Sequence, residues 1–256
     1  MLKNLFLRLM AGSLAGALLM AQGKAPAPKS PKEVEALNAM MAPALDNDGR
    51  IKAANELLTK FADTDFKGLA LYIITNSYNE KKDATNTIVY GERMVEADGK
   101  SAMGAHARIM IATSLATTTK EFDFDKEEKL GRADKLSKEA VEVIKTAPKF
   151  NPTLTDEQWD QIKKGYTSEA LIALGLTATV RKNWNDAMAN YKLAGEADPT
   201  NSATFVRLGA AQVSAAKYDD AIATLDKVIA MPGGDAAIVS YAKAEREKAV
   251  KAKGAK

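Results

Sequence analysis

The 256-residue chain has no cysteine and a single histidine, His106. The first absence excludes disulfides, thiolate metal sites and cysteine nucleophiles, so stability rests on packing alone. The second would leave any zinc site dependent on carboxylates for its remaining ligands, and no metal-ligand spacing is present. Aromatic residues are scarce at 6%, while alanine leads the 46% that is apolar, a balance suited to closely packed helices and not to a β-sandwich. Neither sign of charge dominates: 36 Lys and Arg face 33 Asp and Glu, a net charge of +3. Leaving out the first 21 residues removes Lys3 and Arg8 and brings the net charge to about +1, too near neutral to argue for a nucleic-acid partner. No phosphate-cradling glycine loop, dinucleotide fingerprint or glycosylation triplet occurs.

The N-terminus carries Lys3 and Arg8 ahead of an apolar run over 9–21. That pattern predicts a secretory signal peptide over 1–21, cleaved after Ala21, because the run is too short to span a bilayer core. Gln22 follows, where lipoprotein processing would need cysteine, so the expected product is exported, periplasmic, not lipid-anchored, and without a transmembrane segment in the mature chain. Residues 22–29, with glycine, prolines, alanines and lysines, read as a linker.

Helical signals begin at Ser30-Pro31-Lys32-Glu33, a capping box with proline at the first helical position, and predict a helix to about Pro43. Asp46-Asn47-Asp48-Gly49 reads as a turn, after which Ile51, Ala54, Leu57, Leu58 and Phe61 share one helical face. Further amphipathic helices follow through residue 147, the stretch 30–147 forming irregular hairpins. A linker over 148–155 contains two prolines, and Thr155 to Gln158 supplies a second capping box for a long helix to about Val180.

From there the chain repeats itself. Leu174, Gly175, Trp184, Ala187 and Tyr191 return 34 residues later as Leu208, Gly209, Tyr218, Ala221 and Leu225, and Pro199 and Pro232 end the two units. Glycine in mid-helix costs about 1 kcal/mol in propensity, so close helix packing is the expected reason for Gly175 and Gly209. Ala187 and Ala221 are expected to add small surface, with Tyr191 and Leu225 packing toward the following unit. A long helix and two regular units thus occupy 156–234, and 235–256 predicts a lysine-rich capping helix with a basic tail.

These residues resemble the tetratricopeptide repeat (TPR) family, most fully over 168–234, with repeat starts near 35, 68, 102, 168 and 202. The resemblance implies an all-α fold of antiparallel hairpins stacked as a right-handed solenoid, whose concave groove is lined by first helices and binds peptide. Carried onto this chain, it places Leu69, Tyr72, Asn76 and Asn79 in the groove, then Met103, His106 and Met110. Glu169, Ile172, Leu176 and Thr179 follow, and then Ala203, Val206, Ala210 and Val213. The lysine and asparagine clamp of some members is not reproduced as a set.

Other chemistry is sparse. His106 reads as a polar helix residue, which in a groove would make binding pH-sensitive. Ser214 and Lys217 match the Ser-x-x-Lys pattern of acyl-transfer enzymes, but the companion motifs are absent. Residues 121–128 hold five acids with Phe122 and Phe124 between them, which predicts a mobile acidic loop with packed phenylalanines and no calcium-loop spacing. The basic end over 243–256 reads as a solvated helix. The sequence therefore points to a non-catalytic scaffold of the cell envelope that binds protein or peptide, without cofactor or metal. A self-associating structural component, as a homo-oligomer, is the alternative reading.

Overall fold

The computed structural model describes residues 26–255. The predicted signal peptide over 1–21 lies outside them. Eleven α-helices and no strands occur among the described residues. They are α1 (Pro31–Met40), α2 (Asn47–Lys60), α3 (Lys67–Glu80), α4 (Ala84–Asp98), α5 (Ala102–Thr118) and α6 (Lys126–Thr146). The second half comprises α7 (Asp156–Val180), α8 (Trp184–Ala197), α9 (Ser202–Ser214), α10 (Tyr218–Ala230) and α11 (Ala236–Gly254).

Successive helices pack in antiparallel pairs, so that five hairpins and a final helix form one stack. The first helices of neighbouring hairpins also touch: α3 meets α5, α5 meets α7, and α9 meets α11. The second helices α4, α6, α8 and α10 make no comparable contact with one another. Over α3, α5 and α7, and again over α9 and α11, first helices drawn together and second helices spread apart give the stack an inner face on the first-helix side. The core runs along its length, from Leu37, Leu57 and Ile74 through Leu71, Met94 and Ile144 to Leu225 and Val228.

The repeat glycines sit where two helices meet most closely. A Cβ on Gly175 would lie 2.6 Å from Cδ1 and 2.8 Å from Cζ of Tyr191, and closer still to Cε1. On Gly209 it would lie 2.6 Å from Cγ and Cδ2 of Leu225. Tyr191 and Leu225 therefore fill the glycine gap of their own hairpin, and as the repeat pattern suggested they also reach the following unit, Tyr191 sharing a core with Leu208 and Ala211 and Leu225 with Ala242. The tyrosine is fixed there by its hydroxyl, 3.1 Å from Thr179 Oγ1.

Caps define most helix starts. Thr155 forms a full capping box: its hydroxyl accepts the Gln158 N–H at 3.2 Å, and the Gln158 side chain accepts the Thr155 N–H at 3.0 Å. At Ser30 only half of the expected box forms. The hydroxyl accepts the Glu33 N–H at 3.2 Å, but the Glu33 carboxylate turns to the Lys29 N–H and to the Thr64 hydroxyl, each at 2.6 Å. Glu33 is buried there and ties α1 to the α2–α3 connection. The helix stops at Met40, short of Pro43. Asn47, Asp48 and Gly49 are not a turn but the first turn of α2, capped by the Asp46 carboxylate.

Three hairpin turns share one backbone solution. Lys82, Lys182 and Ala216 have φ of 60°, 59° and 58°, and the following N–H reaches back into the first helix (Asp83 to Tyr78, Asn183 to Ala178, Lys217 to Gln212). This is the Schellman arrangement, made here without glycine. The α5–α6 hairpin replaces it with residues 119–125. Phe122 and Phe124 on this loop, expected from sequence to pack, instead stand 90% and 108% exposed. Residues 147–155 are a packed connector in which buried Phe150 meets Trp159 edge-on at 5.7 Å.

Candidate functional site

The first-helix face brings together side chains from three successive hairpins. Tyr72 lies on α3, His106 at the position 34 residues later on α5, and Glu169 on α7. The Tyr72 hydroxyl is 2.7 Å from His106 Nδ1, and His106 Nε2 is 3.3 Å from Glu169 Oε2. A proton on Nε2 satisfies both contacts of a neutral ring: the phenol donates to Nδ1 and Nε2–H donates to the carboxylate. Tyr166, one turn before Glu169, stacks on the imidazole at 4.6 Å and 15°. It also hydrogen-bonds the Tyr72 phenol.

These groups form one connected polar chain inside the stack. Tyr72 and His106 are only 4% and 6% exposed, whereas the Glu169 side chain retains 33% and marks the edge that faces solvent. Burial pushes both phenols well above the usual tyrosine range, so they stay protonated donors. The arrangement orients the Glu169 carboxylate at the first-helix face.

The remaining predicted groove residues divide. Asn76 is buried, and its amide donates to Glu80 Oε1 at 3.2 Å, so it is engaged within α3; Asn79 is half-buried at the same helix end. Met110 is buried in the core of α5, while Ile172 is half-buried and packs against the α7–α8 core. Thr179 turns to Tyr191, and Val206 is buried in the core with Leu225, Val228 and Ala242. Met103 borders a cavity of about 410 Å³ between the N-terminal ends of α3 and α5, lined also by Phe66, Leu69 and Phe150. The repeat pattern missed Tyr166, which belongs to the extra N-terminal turns of α7; its one-turn spacing from Glu169 was the available signal.

Ser214 and Lys217 are both exposed, one ending α9 and the other preceding α10, an arrangement without the buried pair that acyl transfer would use. No group of three or more His, Asp or Glu side chains that could hold a metal ion occurs among the described residues. No described helix is long and apolar enough to cross a membrane.

No family model and no curated protein matches the sequence. Among solved structures, the chain is similar to a thermophilic TPR protein of Thermus thermophilus, at 16% identity and a TM-score of 0.50, over 77% of this chain and 90% of that one. With five stacked hairpins, glycine-mediated pairing at a 34-residue interval and a closing helix, the chain has the tetratricopeptide-repeat fold.

Proposed function

We propose that this protein is a non-catalytic scaffold of the bacterial cell envelope that binds protein or peptide along its first-helix face. The observation that carries the reading is the chain from Tyr166 through Tyr72 and His106 to Glu169, which spends buried polar groups of three hairpins on orienting one partly exposed carboxylate. Beside it, the cavity at Met103, Leu69 and Phe150 offers an apolar pocket for a side chain of the bound segment. The envelope location is supported by Lys3, Arg8 and the apolar run over 9–21.

The test is affinity capture from envelope extract with the wild-type chain and with Glu169→Lys and Ile172→Glu. Both variants are expected to lose captured protein while keeping the helical circular-dichroism signal. An unchanged partner set would refute this placement of the binding face. For the address, the mature N-terminus is expected at Gln22 by mass spectrometry of the envelope fraction, and an intact Met1 in the cytoplasm would refute export.

A further inference from the structure

Two features outside the inner face fit each other. The first is the loop over 119–125, where Phe122 and Phe124 project into solvent. The loop is held rather than slack: the Lys120 N–H donates to Asp123 Oδ2 at 3.0 Å and Lys126 N–H to the Asp123 carbonyl at 3.1 Å. Lys129 pairs with Asp125 at 2.8 Å, and Lys182 with Glu121 at 2.6 Å. Exposed aromatic rings on a braced loop are the anchor geometry of protein recognition, because little ordering remains to be done on binding.

The second is a groove on the opposite, second-helix side. Where α8 and α10 spread apart over α9, an open cleft of about 810 Å³ is floored by Met188, Phe205 and Leu208. Lys192, Lys217 and Lys227 stand on its rim, all exposed and none in an ion pair among the described residues. Glu196 and Asp220 also line it. At the bottom, Gln212 Oε1 is buried without a hydrogen-bond partner, an acceptor that an entering backbone N–H would satisfy.

We propose that this groove takes the 119–125 loop of a second copy of the chain, with Phe122 and Phe124 entering the cleft and Glu121, Asp123 and Asp125 meeting the three rim lysines. Charge complementarity selects this occupant: the loop carries Glu121, Asp123 and Asp125 against Lys120, and the cleft carries Lys192, Lys217 and Lys227 against Glu196 and Asp220, so a net negative loop meets a net positive cleft. Within one molecule the two surfaces are not joined, since both rings face solvent. The contact uses different surfaces on the two copies, so each bound copy still offers one free loop and one free groove. Such an interface propagates head to tail, into a ring where its rotation closes and into an open chain where it does not.

The test uses the full chain in light scattering and analytical ultracentrifugation over a concentration series. Mass is expected to rise with concentration and to fall with added salt. Two variants, F122S with F124S and K192E with K217E and K227E, are each expected to remain monomeric, with circular-dichroism melts unchanged because every altered residue is on the surface or the loop. Mixed one to one, they restore a single complementary pair, and the expected product is a dimer that grows no further. A wild-type chain that stays monomeric throughout, a loop variant that still assembles, or a mixture that stays monomeric would each overturn the proposal. So would a loop that captures a different protein while the chain itself remains a monomer.

Discussion

Replacing Gly175 by alanine should destabilise the protein, although alanine is the better helix former. Propensity alone favours the substitution by about 1 kcal/mol. Against this stands the Tyr191 ring, with Cδ1 at 2.6 Å and Cζ at 2.8 Å from the new Cβ, well inside ordinary carbon contact. The ring is buried among the α7–α8 core and its hydroxyl is tied to Thr179, so it cannot swing aside without breaking that bond. Overpacking of this kind costs about 1–3 kcal/mol and occasionally more; with a rigid ring the upper part of the range applies, leaving a net loss of about 2 kcal/mol. For a chain of this size that is a fall in Tm of roughly 4–8 °C. Gly131 supplies the control within the same molecule, because a Cβ there on exposed α6 meets nothing within 4 Å. Gly131→Ala should therefore raise stability by about 1 kcal/mol. Thermal melts of both variants read the two signs directly. Equal, stabilising effects would refute the argument that Gly175 is present for helix contact.

High pH should also unfold the protein through its buried phenols. Burial raises the Tyr72, Tyr166 and Tyr191 groups above the ordinary value of 10.0, so the folded state holds their protons more tightly than the unfolded chain. Their contribution is complete below the unfolded value and is lost as pH rises above it, so melting temperatures should fall beyond about pH 10. Tyr191→Phe should flatten part of that fall; an unchanged pH profile would contradict it. Glu33→Ala should cost about 1–3 kcal/mol in a urea melt, because it strands the Thr64 hydroxyl and the Lys29 N–H. A loss below about 0.5 kcal/mol would mean the buried carboxylate does not join α1 to the stack. Ala216→Gly should gain about 0.5–1 kcal/mol, since relief of the left-handed conformation outweighs the added chain entropy. A decrease in Tm would refute the Schellman reading of that turn.

Much of the architecture is written locally. The 34-residue interval and the mid-helix Gly175 and Gly209 state that helices pack in repeated hairpins, and Thr155 with Gln158 marks the start of α7. Other features depend on contacts that no short pattern records. Lys82, Lys182 and Ala216 adopt left-handed turns that sequence would assign to glycine, because the hydrogen bonds back into the first helix hold them there. Asn47 to Gly49 carry turn chemistry yet enter α2, since Asp46 takes the capping position. Phe122 and Phe124 look like packing residues, but the longer α5–α6 connection carries them beyond the stack. For the site, the recurrence of Tyr72 at His106 was legible. The partnership with Tyr166 was not, because that residue lies in turns of α7 outside the repeat. Nor was the depth of burial, which arises where α3, α5 and α7 close on one another.

The central claim is that partners bind where first helices line the inner face. Photo-crosslinking amino acids placed at Asn79 and Ile172, and at Val89 and Leu193 as exposed second-helix controls, test it in intact cells. The account predicts a discrete protein adduct from Asn79 and Ile172 that is missing from Val89 and Leu193. Adducts from the second-helix positions alone would contradict it.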